Sequence, residues 1–206
     1  MIVKFIQYCD PLSGHEDEFK NFVPKNYLPG INETGLLKVV GSWYVASGEG
    51  PSYIMEGVAD SVKSIHKLLQ LEEFQKLNHL MHFMITNYRT KILAPTGRVE
   101  SIVPEYKNFR FNHHYDIIYD HYDDYLSFIE EAHIPTMEKL GIKMIGGWYV
   151  ALGSGPNIVT EGSCGSVKQI LDAIGSEEYR ELTSKLLTMV NGFGSKVLVP
   201  SGLMPQ

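Results

Sequence analysis

GSWYVASGEGPSYIMEG, at Gly41–Gly57, returns later in the chain as GGWYVALGSGPNIVTEG, at Gly146–Gly162. The shift is 105 residues, and without a gap it gives 23 identities over the 60 positions from Lys38 to Gly97. Upstream of Leu36 the shift becomes 106. A repeat unit of about 100 residues is a small domain and not a solenoid repeat. The sequence therefore predicts two copies of one domain in a single chain.

The boundaries of the two copies follow from the repeat. The chain has 206 residues, and we place the first copy at 1–98 and the second at 106–206. Residues 99–105 are predicted to be a linker, in which Pro104 is a stiff element.

Each copy is predicted to have the element order β-α-β-β-α-β of a ferredoxin-like unit. Apolar runs, turn residues and helical spacing predict, in the first copy, a strand at Ile2–Cys9, a helix over His15–Glu33 that Pro24 interrupts, hairpin strands at Leu36–Ser47 and Ser52–Val58, a helix after Asp60 or Ser61 whose apolar stripe runs to Tyr88, and a short strand at Lys91–Ala94. The corresponding strands of the second copy are predicted near Asn108–Ile118, Gly141–Leu152, Asn157–Gly162 and Lys196–Val199.

The central strands carry apolar residues on both faces. The strands that begin at Leu36 and Gly141 therefore belong to sheets whose two faces are both covered. Helices cover one face of each sheet, and packing the two remaining faces together buries the apolar residues on those faces. The sequence thus predicts an α+β fold in which the two tandem repeats form one pseudo-symmetric barrel that encloses an interior.

Composition excludes several classes of function. The net charge is −6 without a basic run, which argues against a nucleic-acid partner. No segment has the roughly 20 apolar residues of a membrane span, and the amino-terminal residues lack a secretion pattern. Cys9 and Cys164 occupy non-equivalent positions, and we interpret them as reduced thiols in a cytoplasmic protein. The histidine spacings give no convincing metal-ligand set.

Several segments resemble the dimeric α+β barrel superfamily in a tandem-fused form. They are His133-Ile134-Pro135, Leu140-Gly141-Ile142-Lys143, Gly146-Gly147-Trp148 and Glu177-Glu178-Tyr179-Arg180-Glu181-Leu182. The resemblance covers both repeats and is nearest to NIPSNAP-like, EthD-like and antibiotic-biosynthesis-monooxygenase-like domains. It implies the barrel fold and a choice of functions that includes cofactor-independent monooxygenases, cyclases, haem-degrading enzymes, chlorite dismutases and proteins without a known role.

The haem-degrading pattern of that superfamily is poorly matched. It requires an Asn on the first strand, a Trp on the helix after the hairpin and a His further along that helix. Asn112 fits the first position, but no Trp lies in 61–88 or 166–193, and the His at 79 is replaced by Ser184 in the second repeat. We therefore expect no cofactor, with haem as the alternative.

The strand Phe109–Ile117 is the best candidate for a site. Arg110, Asn112 and His114 alternate on one of its faces, whereas the equivalent first-repeat positions are less polar. If this face lines the interior, His114 is the acid or base, and Arg110 and Asn112 hold an oxyanion. The alternative is a partly exposed strand that tolerates polar residues.

Other candidates carry weaker signals. The resemblance places His133 near a cavity mouth as a second catalytic residue, although a role in ending a helix is the alternative. Trp43, Tyr44, Trp148 and Tyr149 are predicted to be either core aromatics or, for the tyrosines especially, walls of a ligand pocket. Glu56 and Glu161 end hairpin strands in both repeats, as backbone acceptors or as ligand-binding carboxylates.

These features predict a protein that binds a small molecule inside an α+β barrel. The first hypothesis is a cofactor-independent monooxygenase or cyclase that acts on an aromatic or polycyclic compound. The alternatives are a non-catalytic binding or assembly protein and a haem-binding protein. A homodimer of fused barrels is a further expectation.

Overall fold

The computed structural model describes residues 2–99 and 106–204, so residues 100–105 of the predicted linker lie outside the described residues. The elements of the first repeat are β1 Val3–Pro11, α1 Glu16–Phe22, α2 Leu28–Glu33, β2 Lys38–Ser47, β3 Tyr53–Ala59, α3 Val62–Gln70, α4 Glu72–His82 and β4 Ile85–Pro95. Those of the second repeat are β5 Phe109–Ile117, α5 Tyr122–Phe128, α6 Ile134–Lys139, β6 Lys143–Leu152, β7 Ile158–Cys164, α7 Val167–Gly175, α8 Glu177–Leu186 and β8 Val190–Pro200.

A wide helical turn joins α1 to α2, and an equivalent turn joins α5 to α6. Both turns are π-helical, at Val23–Tyr27 and Ile129–His133. A proline, Pro29 or Pro135, lies two residues after each turn and has no N–H for the bond to the fourth residue before it. The wider turn absorbs this interruption, so the predicted helix over His15–Glu33 continues through Pro24.

The eight strands of the described residues form one closed antiparallel barrel. Their order around the barrel is β1-β3-β2-β8-β5-β7-β6-β4. The two repeats therefore meet twice, where β2 pairs with β8 and where β4 pairs with β6. Closure pairs the strands that would otherwise be sheet edges within each repeat.

Three apolar cores divide the molecule into layers. In each repeat the helices pack on the outer face of their own strands, around Phe19 and Phe74 in the first and Phe128 and Leu182 in the second. The third core contains only strand residues of both repeats and fills part of the barrel interior: Ile6, Trp43, Ile54, Leu93, Trp148, Val159 and Leu198. The predicted α+β barrel of two tandem repeats is confirmed. Among the described helices, none combines the length and the apolar character needed to cross a bilayer.

The last strand of each repeat is longer than predicted. α4 ends at His82, and β4 already begins at Ile85, so the predicted continuation of a helical stripe to Tyr88 is wrong. β4 pairs with β1 from Lys4 opposite Leu93 to Pro11 opposite Ile85. This strand pairing outweighs the helical spacing of the apolar residues, because a local preference is weaker than a ladder of tertiary hydrogen bonds.

Candidate functional site

Four charged side chains meet inside the barrel. Lys4 and Arg110 are equivalent positions of the two repeats, as are Glu56 and Glu161. Lys4 Nζ lies 3.2 Å from Glu56 Oε2 and 2.5 Å from Glu161 Oε2. The Arg110 guanidinium lies 3.7 Å from Glu56 Oε2 and 4.0 Å from Glu161 Oε2. All four are buried, so two cations and two carboxylates neutralise each other away from water. We call this group the charge cluster.

Two tryptophans cover the charge cluster. Lys4 Nζ lies 4.5 Å from the ring centroid of Trp148, and Arg110 Cζ lies 4.4 Å from that of Trp43. Each cation thus stacks on the tryptophan of the other repeat. Trp148 Nε1 donates to Glu161 Oε2 at 2.8 Å, and Trp43 Nε1 donates to the carbonyl of Asn108 at 3.0 Å.

The charge cluster holds Glu161 as a carboxylate. Burial by itself opposes ionisation, but the charges of Lys4 and Arg110 outweigh it and keep the pKa of Glu161 below its ordinary value. Glu161 and Arg110 belong to the charge cluster and line none of the described cavities, so neither is placed to touch a ligand directly. Glu56 belongs to the cluster and also borders the cavity described next.

Beside the charge cluster, the barrel interior opens into a cleft of about 300 Å³. The turns of both hairpins, around Gly50 and Gly155, form its rim. Its apolar lining comes from Ile6, Ile54 and Val159. This volume is at the lower end of the range for small-molecule pockets, so it suits a compact ligand.

The rim of the cleft is fixed by two equivalent aspartates. Asp10 Oδ1 accepts a hydrogen bond from the Ser52 backbone N–H at 2.7 Å, and Asp116 Oδ1 accepts one from the Asn157 N–H at 2.7 Å. Each bond ties the end of β1 or β5 to the hairpin of the same repeat. Asp116, near the end of β5, therefore anchors the rim.

Two equivalent lysines, Lys91 on β4 and Lys196 on β8, line the cleft and are half-buried. Burial lowers the pKa of both lysines. The charge of Arg89 lowers the pKa of Lys91 further, and the charges of Lys91 and Arg89, in that order, lower the pKa of Lys196 further. Asp116 and Glu49 oppose these shifts only in part. Among the residues that the structure describes, Lys91, Lys196 and Arg89 have no ion-pair partner.

His114 and Asn112 lie on the wall of the same cleft. Burial, followed by the charges of Lys196 and Lys91, lowers the pKa of His114 below its usual range, so its ring is neutral at pH 7. The ring packs over Gly194, where an added Cβ would lie 2.4 Å from His114 Nε2. Asn112 is 8% exposed, and its Oδ1 has no hydrogen-bond partner among the described residues.

His133 lies elsewhere, between the sheet and the helices of the second repeat. Its ring centroid is 5.7 Å from that of His113, whose Nε2 is 3.0 Å from the Tyr179 hydroxyl. Burial lowers the pKa of His133 to about 4. His113 points to the helices because adjacent strand residues face opposite sides, whereas His114 points to the cleft. The structure therefore places His133 away from His114 and outside the lining of the cleft, whereas the resemblance placed it near a cavity mouth.

Each aromatic pair on β2 and β6 divides between the two faces of the sheet, as predicted. Trp43 and Trp148 point into the barrel, whereas Tyr44 and Tyr149 pack against the helix-covered cores. Tyr149 lines a separate small cavity of about 20 Å³ under the second repeat's helices. The tyrosines are thus not walls of the cleft. Both tryptophans are core residues of the interior, as the alternative prediction had it.

The cleft residues that sequence reasoning missed include Tyr8, Lys91 and Lys196. The repeat held a signal for the lysines, since both copies keep Lys at this position of their last strand. Tyr8 is the first-repeat equivalent of His114, and Lys196 Nζ lies 5.6 Å from its ring centroid. Within the described residues no group of three or more His, Cys, Asp or Glu side chains is arranged to hold a metal ion.

Comparison with known proteins shows the fold. No family model matches the chain, and no curated protein matches it in sequence. A solved structure of a mutant chlorite dismutase from Candidatus Nitrospira defluvii matches with a TM-score of 0.68 and 9% identity, over 98% of this chain and 92% of that chain. A protein from Lactobacillus acidophilus NCFM, provisionally described as a monooxygenase, gives 0.63 and 14%, over 96% and 93%. An anthrone oxidase-like protein gives 0.57 and 11%, over 96% and 91%. The predicted dimeric α+β barrel architecture is therefore confirmed for nearly the whole chain.

Proposed function

We propose that the protein binds a compact aromatic or enolisable molecule in the cleft, and that His114 exchanges a proton with it. One observation carries this proposal: a neutral histidine shares the cleft with two lysines that have no ion-pair partner among the described residues. The apolar side chains of Ile6, Ile54 and Val159 provide a surface for an aromatic ring. Asn112 supplies an unpartnered acceptor that orients a ligand hydroxyl or amine.

The arrangement supports removal of a proton from a phenol or an enol. His114 is neutral and therefore accepts the proton, while the ammonium groups of Lys91 and Lys196 stabilise the anion that forms. Burial and the nearby carboxylates Glu56 and Glu161 raise the pKa of Tyr8, so its hydroxyl stays protonated and acts as a donor. The resulting anion is electron-rich. Reaction with oxygen would make the protein a cofactor-independent monooxygenase, and attack on a carbonyl within the same molecule would make it a cyclase.

We infer that haem, the alternative cofactor, is not the ligand of the cleft. The cleft has about 300 Å³, and the charged side chains of Arg89, Lys91 and Lys196 share its wall with the apolar ones. The layer between sheet and helices in the second repeat holds the buried His113 and His133, but the cavity beside this layer has only about 20 Å³. We expect no Soret band after incubation with haemin. A stoichiometric Soret band that depends on one of these histidines would contradict this inference.

A non-catalytic binding protein is the remaining alternative, and one experiment separates it from an enzyme. Phenolic and 1,3-dicarbonyl compounds of one or two rings would be screened by thermal shift, and compounds that bind would be assayed for product by mass spectrometry. We expect His114→Gln to retain binding and to lose at least about a hundredfold in turnover, the lower end of the range for a general base.

A matched control is His121→Gln, which changes a partly exposed histidine of the second repeat outside the cleft. Turnover that survives in His114→Gln would contradict the proposed role of this residue. Binding without turnover in the wild-type protein would support the non-catalytic function. Ile54→Trp fills the cleft, so binding that this variant does not weaken would place the site outside the cleft.

A further inference from the structure

The two half-buried lysines of the cleft are related by the repeat and face it from opposite strands. β4 carries Lys91 beside Ile6 of β1, and β8 carries Lys196 beside Asn112 of β5. A Cβ added at Gly155 would lie 3.2 Å from Lys91 Nζ, and one added at Gly50 would lie 3.2 Å from Lys196 Nζ. Each ammonium group is therefore held under a hairpin turn of the other repeat, and the pair is symmetric about the barrel axis.

Among the described residues, no carboxylate forms an ion pair with either lysine. The carboxylates nearest the cleft are Glu49, Glu56 and Asp116. Glu56 is paired with Lys4 in the charge cluster, and Asp116 accepts the Asn157 N–H. Glu49 is exposed on the hairpin and forms no ion pair among the described residues. Two ammonium groups that are partly withdrawn from water and lack a counter-ion favour an anion from outside.

The cleft adds features that point to a ligand rather than to a general basic surface. It is a concave site of about 300 Å³ at the end of the barrel interior, and its wall includes Asn112. This side chain is more than nine-tenths buried, and its Oδ1 lacks a hydrogen-bond partner among the described residues. A buried amide oxygen of this kind needs a donor, such as a hydroxyl group of a bound molecule.

We propose that the cleft binds a compact dianion, an aromatic dicarboxylate or a compound of equivalent charge and size, whose two anionic groups bridge Lys91 and Lys196. This inference rests on the proposed function of the cleft as the ligand site, and it names the class of ligand. One acidic group meets each ammonium, and the apolar lining contacts the ring between them. Arg89 at the exposed end of the cleft adds attraction for the incoming anion.

Calorimetric titration of the full chain with phthalate, benzoate and benzyl alcohol at pH 7.5 tests the proposal. The three probes share one ring and differ in charge. We expect phthalate to bind at least about tenfold more tightly than benzoate, because one further charge-assisted contact is worth about that factor. Lys91→Met and Lys196→Met should each reduce phthalate affinity about tenfold or more. Lys63→Met, at an exposed lysine outside the cleft, should leave it unchanged.

The outcomes separate this proposal from the broader one. Equal affinity for phthalate and benzyl alcohol, or phthalate binding that survives both lysine substitutions, would overturn the dianion site while leaving the cleft as a site for neutral molecules. Failure of all three probes, and of inorganic phosphate at millimolar concentration, to perturb the NMR resonances of His114 would overturn both. Thermal melting of each variant verifies folding, and Lys91→Arg and Lys196→Arg, which keep the charge, should restore most of the affinity.

Discussion

The charge cluster and the cleft are two regions of one barrel interior and are built from the same eight strands. They differ in whether their cationic side chains are paired with carboxylates. In the cluster, Lys4 and Arg110 face the carboxylates Glu56 and Glu161 inside the protein. In the cleft, Lys91 and Lys196 form no ion pair with a carboxylate of the described residues, although Glu49 and Glu56 also line it. A buried cation with an internal counter-charge serves the fold, whereas a half-buried cation without one is available to a ligand. The comparison indicates that the charge cluster joins the two repeats, and it supports the proposal that the cleft binds a ligand.

The largest expected effect comes from removing a carboxylate of the charge cluster. Glu161→Gln leaves Lys4 and Arg110 buried with Glu56 as their one remaining partner. We expect the free energy of unfolding to fall by about 3–5 kcal/mol, as for other broken buried ion pairs. Urea denaturation measures it. A loss below about 1 kcal/mol would show that the cluster is not the charge-balanced core described here.

The same substitution at a lysine of each region tests the comparison directly. Lys4→Met leaves two buried carboxylates with Arg110 alone, and we expect a loss of roughly 3 kcal/mol. Lys196→Met removes a repulsion with Lys91 and Arg89, so stability should stay within about 1 kcal/mol or rise. Both variants are compared by urea denaturation at pH 7. Equal losses would mean that the lysines of the cleft are structural as well.

Exchange of equivalent residues between the repeats should have a smaller effect. Ile6 and Asn112 occupy matching positions, and both line the cleft. Asn112→Ile removes an unpartnered buried amide, so we expect stability to be unchanged or to rise by about 1 kcal/mol, with weaker ligand binding. Ile6→Asn adds a second such amide and should cost about 1–3 kcal/mol. A destabilised Asn112→Ile variant would indicate that this side chain has a partner within the protein.

The repeat predicted the fold well because each copy carries its full set of strands and turns. Matching positions also predicted which residues share a structural role, such as Glu56 with Glu161 and Trp43 with Trp148. The barrel then follows from covering the bare faces of two sheets. The lengths of β4 and β8 were missed because their outer halves contain polar and glycine residues, and only pairing with β1 and β5 makes them strands.

The site was predicted in part, and the physical reason lies in strand irregularities. β2 has a register shift between Val39 and Gly41, and β6 has the same shift between Met144 and Gly146. A bulge of this kind inverts the alternation of side chains beyond it. Val39 consequently packs under the helices while Trp43 faces the barrel interior, although simple alternation puts them on one face. On β5 the side chains alternate regularly up to His114. The prediction that Arg110, Asn112 and His114 share one face therefore agrees with the structure.

The smallest and most specific effect concerns the titration of His114. Burial and the charges of Lys196 and Lys91 place its pKa below the ordinary value of 6.5. Between pH values of about 6.5 and the lower pKa of His114, the unfolded chain therefore binds more protons than the folded one. The free energy of unfolding falls as the pH decreases through this window, and the full loss remains at lower pH. Lys196→Met removes one of the two cationic charges, so the pKa of His114 should rise toward 6.5 and this loss of stability should shrink.

Imidazole resonances followed by NMR from pH 8 to pH 4 measure this change at one residue. Global stability alone is a poor readout, because burial also lowers the pKa values of His113 and His133. Lys63→Met is the control, since this exposed lysine is outside the cleft and should not move the His114 curve. An unchanged pKa of His114 in Lys196→Met would show that the two side chains do not share one electrostatic site. The pKa of His114 is also compared on addition of phthalate to the wild-type protein. If it rises there as well as in Lys196→Met, an external anion neutralises the lysines of the cleft as Glu56 and Glu161 neutralise the cations of the charge cluster.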